Sequence, residues 1–122
     1  ITDHFEPTAE SQLYEVDNQR SYPADINKAK QAYRGKLKLK MGIELGQPHY
    51  FKQGSEKVLQ DFPYDYVIAS AHKLEDGTDM SELDYTGITM EDVCYLYLKQ
   101  LERLLEWSNF DCVGHLDLIK RY

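Results

Sequence analysis

The chain has 122 residues, enough for one ordinary domain and short for two. Hydrophobic residues are 42% and charged residues 29%, a globular balance that excludes a disordered or low-complexity chain. Twenty-one acidic against fourteen basic side chains give a formal charge of -7, a surface that repels polyphosphate backbones and argues against general nucleic-acid binding.

In chain order, Ile1-Thr2-Asp3-His4 reads as the tail of a β-strand, with no initiator methionine before it. Segment 5–21 reads as a loop. Ala24 to Arg34 follows Pro23 and stops at Gly35, the start and stop signals of a helix. From Leu37 to Leu45 apolar and other residues alternate, the two-residue period of a strand. Ser55 to Phe62 reads as a short helix with Val58, Leu59 and Phe62 as its apolar stripe. Tyr66 to His72 is apolar on both faces, as in a parallel strand covered by helices. A loop over 73–88 follows. Met90 to Trp107 is the strongest helix, with Thr89 and Asp92 as a capping pair and Val93, Tyr97, Leu101 and Leu105 as its stripe, widened by Leu104. Phe110 to His115 reads as a last strand.

Strands alternating with helices predict parallel βαβ units and an α/β architecture, either a minimal open sheet or half of a closed barrel. The chain stops just after its last strand, so an internal piece of a larger chain is expected. Its open sheet edges would then be covered by the remaining chain or by a second copy. Cys94 and Cys112 are too few for a disulfide framework and read as reduced, buried small hydrophobes in a cytoplasmic protein. No apolar run reaches the roughly 20 residues that span a bilayer, so no membrane partner is expected.

The chemistry is carried by His4, Glu44, His72 and His115. Each closes a different strand, about one βα unit after the one before, and parallel strands open their C-terminal ends on one face. Glu44 is on the even, non-apolar side of its strand, opposite the residues that would meet the helices. A single histidine at a strand end is more often a hydrogen-bonded structural residue, but four such groups on four strands favour a shared divalent cation. Imidazole with carboxylate suits zinc, manganese or iron. A bridged pair or trio of such ions would bind phosphate oxygens and turn bound water into hydroxide. His49 reads as surface or peripheral. Ser70 beside His72 lacks an orienting acid and is a weak nucleophile candidate. No phosphate-cradling glycine loop and no nucleophile elbow is present.

Ile1-Thr2-Asp3-His4, Gly42-Ile43-Glu44, Ser70-Ala71-His72 and Gly114-His115-Leu116-Asp117 resemble consecutive motifs of the PHP (polymerase and histidinol phosphatase) family, and His4-Phe5-Glu6 and Asp117 to Arg121 resemble its histidinol-phosphatase branch. The resemblance implies part of a distorted (βα)7 barrel with two or three divalent metals at its C-terminal mouth. It implies Glu44 as a bridging ligand, His72 and His115 as terminal ligands, and His4 as a ligand of a third metal. It implies hydrolysis of L-histidinol phosphate by metal-bound hydroxide, in histidine biosynthesis. Arg121, with Lys120 beside it, is the candidate for holding the substrate phosphate. The family's first His-x-His and late Asp-x-His have no counterpart here, so this piece alone is expected to keep one metal site best. The alternatives are a PHP phosphoesterase acting on another small phosphate ester, or a non-catalytic barrel fragment with a structural or binding role.

Overall fold

The computed structural model describes residues 1–7 and 16–122. Its elements are β1 (Thr2–Phe5), α1 (Val16–Ala32), β2 (Gly42–Gly46), α2 (Lys52–Asp61), β3 (Tyr66–Ser70), α3 (Met90–Trp107) and β4 (Cys112–Val113), then a 3₁₀ turn over Leu118–Arg121. The strands form one parallel sheet in the order β1-β2-β3-β4. This is the α/β alternation predicted from the pattern, laid out as an open sheet. No described helix is long and apolar enough to cross a membrane.

Two-residue periodicity sorts β2 between its faces. Ile43 and Leu45 are fully buried in the core, which also takes in Ala69 of β3, Val58 of α2 and Val93, Tyr97 and Leu104 of α3. Burying each large aliphatic side chain contributes about 1.5–3 kcal/mol, so the sheet–helix layer is where stability resides. Glu44 projects from the other face, as the parity argument requires. His4 is its register partner on β1, which places both on that face.

Helix α3 matches its predicted bounds. Thr89 caps it, accepting a hydrogen bond from Asp92 N at 3.1 Å and donating its hydroxyl to the Asp92 carboxylate at 2.6 Å. Leu105, predicted on the buried stripe, is instead 55% exposed. A helix turns 100° per residue, so each step of four overshoots by about 40°, and three steps from Val93 carry Leu105 away from the core. Leu104, eleven residues from Val93, stays on the core face and is fully buried.

Other boundaries moved for identifiable reasons. Helix α1 begins at Val16, not Ala24, and carries Pro23 inside it, where the missing N–H leaves one helical hydrogen bond unmade. Of the loop expected over 5–21, Phe5 ends β1 and residues 16–21 belong to α1, while residues 8–15 lie outside the described residues. The helix ends at Ala32, before the expected stop, and Gly35 lies in the turn that follows, at φ +80. Strand β2 starts at Gly42, not Leu37, because the ladder begins where Gly42 meets Thr2 and Tyr66. Before that point Leu37 is exposed. Strand β3 ends at Ser70, since His72 N donates to the Gln47 side chain at 2.6 Å and not to a neighbouring strand. Cys94 is half-buried and Cys112 is exposed, and both are free thiols. The exposure of Cys112 corrects the buried reading: β4 is the edge strand, with no described strand beyond it.

Candidate metal centre

The sheet's C-terminal rim opens on a cavity of about 580 Å³, lined by His4, Glu6, Glu44, His72, His115 and Arg121 among others. All four predicted metal ligands and the predicted phosphate-binding arginine therefore border one space. Glu44 is the hub. Its Oε2 lies 3.1 Å from His4 Nε2, and its Oε1 lies 3.3 Å from His115 Nε2 and 3.5 Å from His72 Nε2. The two imidazole nitrogens are 2.9 Å apart.

These spacings test whether a cation fits. Ligands held about 2.0–2.1 Å from a tetrahedral zinc stand about 3.3 Å from one another. The Glu44, His72 and His115 triangle, with edges of 2.9, 3.3 and 3.5 Å, brackets that value. One ligand atom from each lies within 4.8 Å of the others. Glu44 Oε2 is left to face His4, an arrangement that suits a carboxylate shared between two ions. The donor set is the imidazole and carboxylate mixture that divalent zinc, manganese or iron accept.

Electrostatics within the cluster oppose burial and win. Burial pushes the Glu44 carboxyl up, but the Ser70 hydroxyl, donating at 2.7 Å, and the neighbouring histidines hold it below its ordinary value. Burial pushes His72 down, yet Glu6, Glu44 and Asp79 raise it overall. Ser70 thus serves to orient Glu44. Just past β4, a Cβ at position 114 would come within 2.1 Å of the buried Ser70 hydroxyl oxygen, so Gly114 leaves the space it occupies.

Of the two readings of His49, surface is corrected and peripheral to the cluster is kept. It lies in the loop after β2, but is only 8% exposed and stands outside the cluster, packed on Tyr50 with ring centroids 4.2 Å apart. Burial lowers it to about 4; Gln100 opposes the shift, and Arg103 and Lys52 add to it. Neither ring nitrogen makes a hydrogen bond of good geometry. The loop is covered from α3, where Gln100 accepts from the Tyr50 hydroxyl and Arg103 donates to it at 3.1 Å.

Glu6 is the site residue missed from sequence. It accepts from His72 Nδ1 at 2.5 Å and from Gln47 Nε2 at 3.0 Å. The signal was present: residues two apart in an extended segment share a face, and Glu6 follows His4 by two.

A parallel α/β sheet with an imidazole–carboxylate cluster at its C-terminal rim defines the class of α/β proteins that build a metal centre from strand ends. The chain belongs to the PHP domain family, whose model matches residues 1–122. It is similar to a histidinol-phosphatase of Lactococcus lactis, 31% identical over 107 residues that cover 86% of this chain and 40% of that protein. A protein of Clostridium acetobutylicum named as a probable histidinol-phosphatase is 28% identical, covering 100% of this chain and 46% of its own length. Among solved structures it resembles histidinol phosphate phosphatase from Lactococcus lactis, complexed with zinc, L-histidinol and phosphate. The TM-score is 0.78 at 29% identity, over 99% of this chain and 46% of that one. The chain thus spans less than half the length of these relatives.

Proposed function

We propose that the chain forms part of a divalent-metal-dependent phosphomonoesterase that hydrolyses L-histidinol phosphate to L-histidinol and phosphate in the cytoplasm, a step of histidine biosynthesis. The observation that carries the reading is the triangle of Glu44, His72 and His115 at the sheet's rim, with spacings that match a cation's coordination edges. Likeness to a phosphatase whose structure holds zinc, L-histidinol and phosphate supports it. Two free cysteines suit a reducing compartment.

Glu44, His72 and His115 would hold one cation, and Glu44 with His4 would contribute to another. Bound there, such ions supply Lewis acidity toward phosphate oxygens and lower the pKa of water. The chain's own residues do the rest. Ser70 fixes the Glu44 carboxylate. Tyr97, donating to the His115 carbonyl at 2.8 Å, fixes the backbone that carries that ligand. Arg121, on the cavity wall, offers two parallel N–H groups to a phosphate.

The test is phosphate release from L-histidinol phosphate and from an aryl phosphate, by the full-length protein, before and after chelation. Loss on chelation, recovery with zinc and preference for histidinol phosphate are expected. Equal turnover of both substrates would turn the reading to a phosphoesterase of another substrate. Metal-free activity, or no metal bound at all, would remove it.

A further inference from the structure

A part-buried hydrogen-bond chain beside the cluster bears on where the protons of one candidate ligand lie. It begins at a group whose role is fixed. The backbone N–H of His72 only donates, so the end of Gln47 that meets it at 2.6 Å is the carbonyl Oε1. The amide NH₂ of Gln47 is therefore the end facing Glu6, and it donates to Glu6 Oε2 at 3.0 Å. The other oxygen, Oε1, then receives His72 Nδ1–H at 2.5 Å. With the proton on Nδ1, the lone pair of Nε2 is left facing Glu44 and His115.

The surroundings are built for this seat. Gln47 is 1% exposed and has φ +48, a left-handed conformation that residues other than glycine seldom adopt. Its backbone N–H bonds the Ser70 carbonyl at 2.8 Å, which ties the end of β2 to the end of β3. Gly46 precedes it. A Cβ there would come within 2.1–2.5 Å of the Glu6 carboxylate atoms, so the carboxylate rests against β2 only because residue 46 has no side chain. One glutamine thus holds His72 twice, directly through the main chain and indirectly through Glu6.

We infer that Glu6, seated over Gly46 and held by Gln47, is a positioning residue that keeps His72 in its Nδ1–H tautomer, with Nε2 presented to the cation site. The inference rests on the metal reading above for its purpose, but not for its geometry. An ordinary surface ion pair would be worth little and would leave the ring's tautomer unaffected.

Glu6→Gln is the sharp variant. It keeps the shape but has one acceptor where the seat offers two donors, so its NH₂ must confront either Gln47 or His72. In the full-length protein, ¹⁵N–¹H spectra of the metal-free form report the His72 tautomer, and chelator competition reports zinc affinity. Expected are an Nδ1–H pattern for His72 in the unaltered protein, loss of that pattern in Glu6→Gln, and zinc binding weaker by about 10- to 100-fold. Glu6→Ala, which leaves Nδ1 without an acceptor, should weaken zinc binding to a similar degree. An Nε2–H tautomer in the unaltered protein, or an unchanged tautomer in Glu6→Gln, overturns the inference, even if affinity falls. So does unchanged zinc affinity in both variants. If the unaltered protein binds no zinc, the metal reading fails, and the metal-free spectra still decide the role of Glu6.

Discussion

The two ends of the sheet use polar residues in opposite ways. At the N-terminal rim they close on the backbone. Asp65 accepts from Met41 N at 2.9 Å and pairs with Lys40 and Lys30. Asp111 accepts from Val67 N at 2.8 Å, and the Tyr22 hydroxyl, 2.7 and 2.9 Å from the Ile1 and Gly42 carbonyl oxygens, bridges β1 and β2. These carboxylates and this hydroxyl are engaged with the backbone and with lysines. At the C-terminal rim, His4, Glu44, His72 and His115 gather nitrogen and oxygen lone pairs onto one another around a cavity. Nitrogen and oxygen ligand atoms crowded together in this way favour a cation. Substitutions at the two rims should therefore separate activity from stability.

The largest effect is expected from Glu44→Gln. Removing the hub's charge should lower phosphate release from histidinol phosphate by at least about 100-fold and abolish tight zinc binding. The thermal midpoint of the metal-free protein should hardly move, because the Glu44 side chain faces the cavity and not the apolar core. A collapse of the midpoint with zinc binding retained would break the division between the rims.

His49 sharpens the comparison from behind the rim. Burial lowers it to about 4, against about 6.5 for an unfolded histidine. Between those values the unfolded state binds more protons. Its contribution is thus fully present above pH 6.5 and is lost as pH falls toward 4, on the order of 2 kcal/mol after allowing for screening. Denaturant unfolding from pH 7 to 4 should show a shallower loss of stability in His49→Phe than in the unaltered protein. Parallel curves would mean that His49 titrates normally.

The contrast also explains what was legible in the chain. The meeting of His4, Glu44, His72 and His115 at one cavity could be read because parallel topology converts regular spacing into a common rim, and parity places Glu44 opposite Ile43 and Leu45. Helix α3 could be read because its cap and apolar stripe are local. The reading weakened where partners are distant. Leu37 and Leu39 alternate like a strand, yet no described strand pairs with them, and alternation without a ladder is only a pattern. His49 reads as surface or peripheral because loops usually are, whereas the cover of its loop comes from Gln100 and Arg103, about fifty residues on. Glu6 was hidden by ending the first strand at His4, although the shared face of His4 and Glu6 was visible. Its seat depends on Gly46 and on the left-handed Gln47, a conformation that no local pattern announced.

A smaller effect tests the outer part of the C-terminal rim. Arg121→Ala should raise the KM for histidinol phosphate about tenfold, with kcat changed less, if the guanidinium contacts the phosphate in the ground and transition states alike. Zinc affinity should stay the same, since Arg121 holds no part of the cluster. An unchanged KM would assign the arginine to the cavity wall and nothing more.

The smallest effect belongs to the opposite rim. The Lys40 ammonium, hydrogen-bonded to the Asp65 carboxylate, together with the Met41 amide, holds that carboxyl down at about 2. The depressed value means that its contribution is present above the unfolded value near 4 and is lost as pH falls from there toward 2. Asp65→Asn keeps an oxygen for Met41 N but loses the charge facing Lys40 and Lys30. Because the pair is open to solvent, the midpoint at pH 7 should fall only slightly, and the difference from the unaltered protein should vanish near pH 2. Zinc affinity and turnover should match the unaltered protein, as Asp65 lies at the far end of the strands from Glu44. A loss of zinc binding in Asp65→Asn would show that the N-terminal clamp sets the register of β2 and β3 at the metal centre, and the two rims would then have to be treated as one coupled unit.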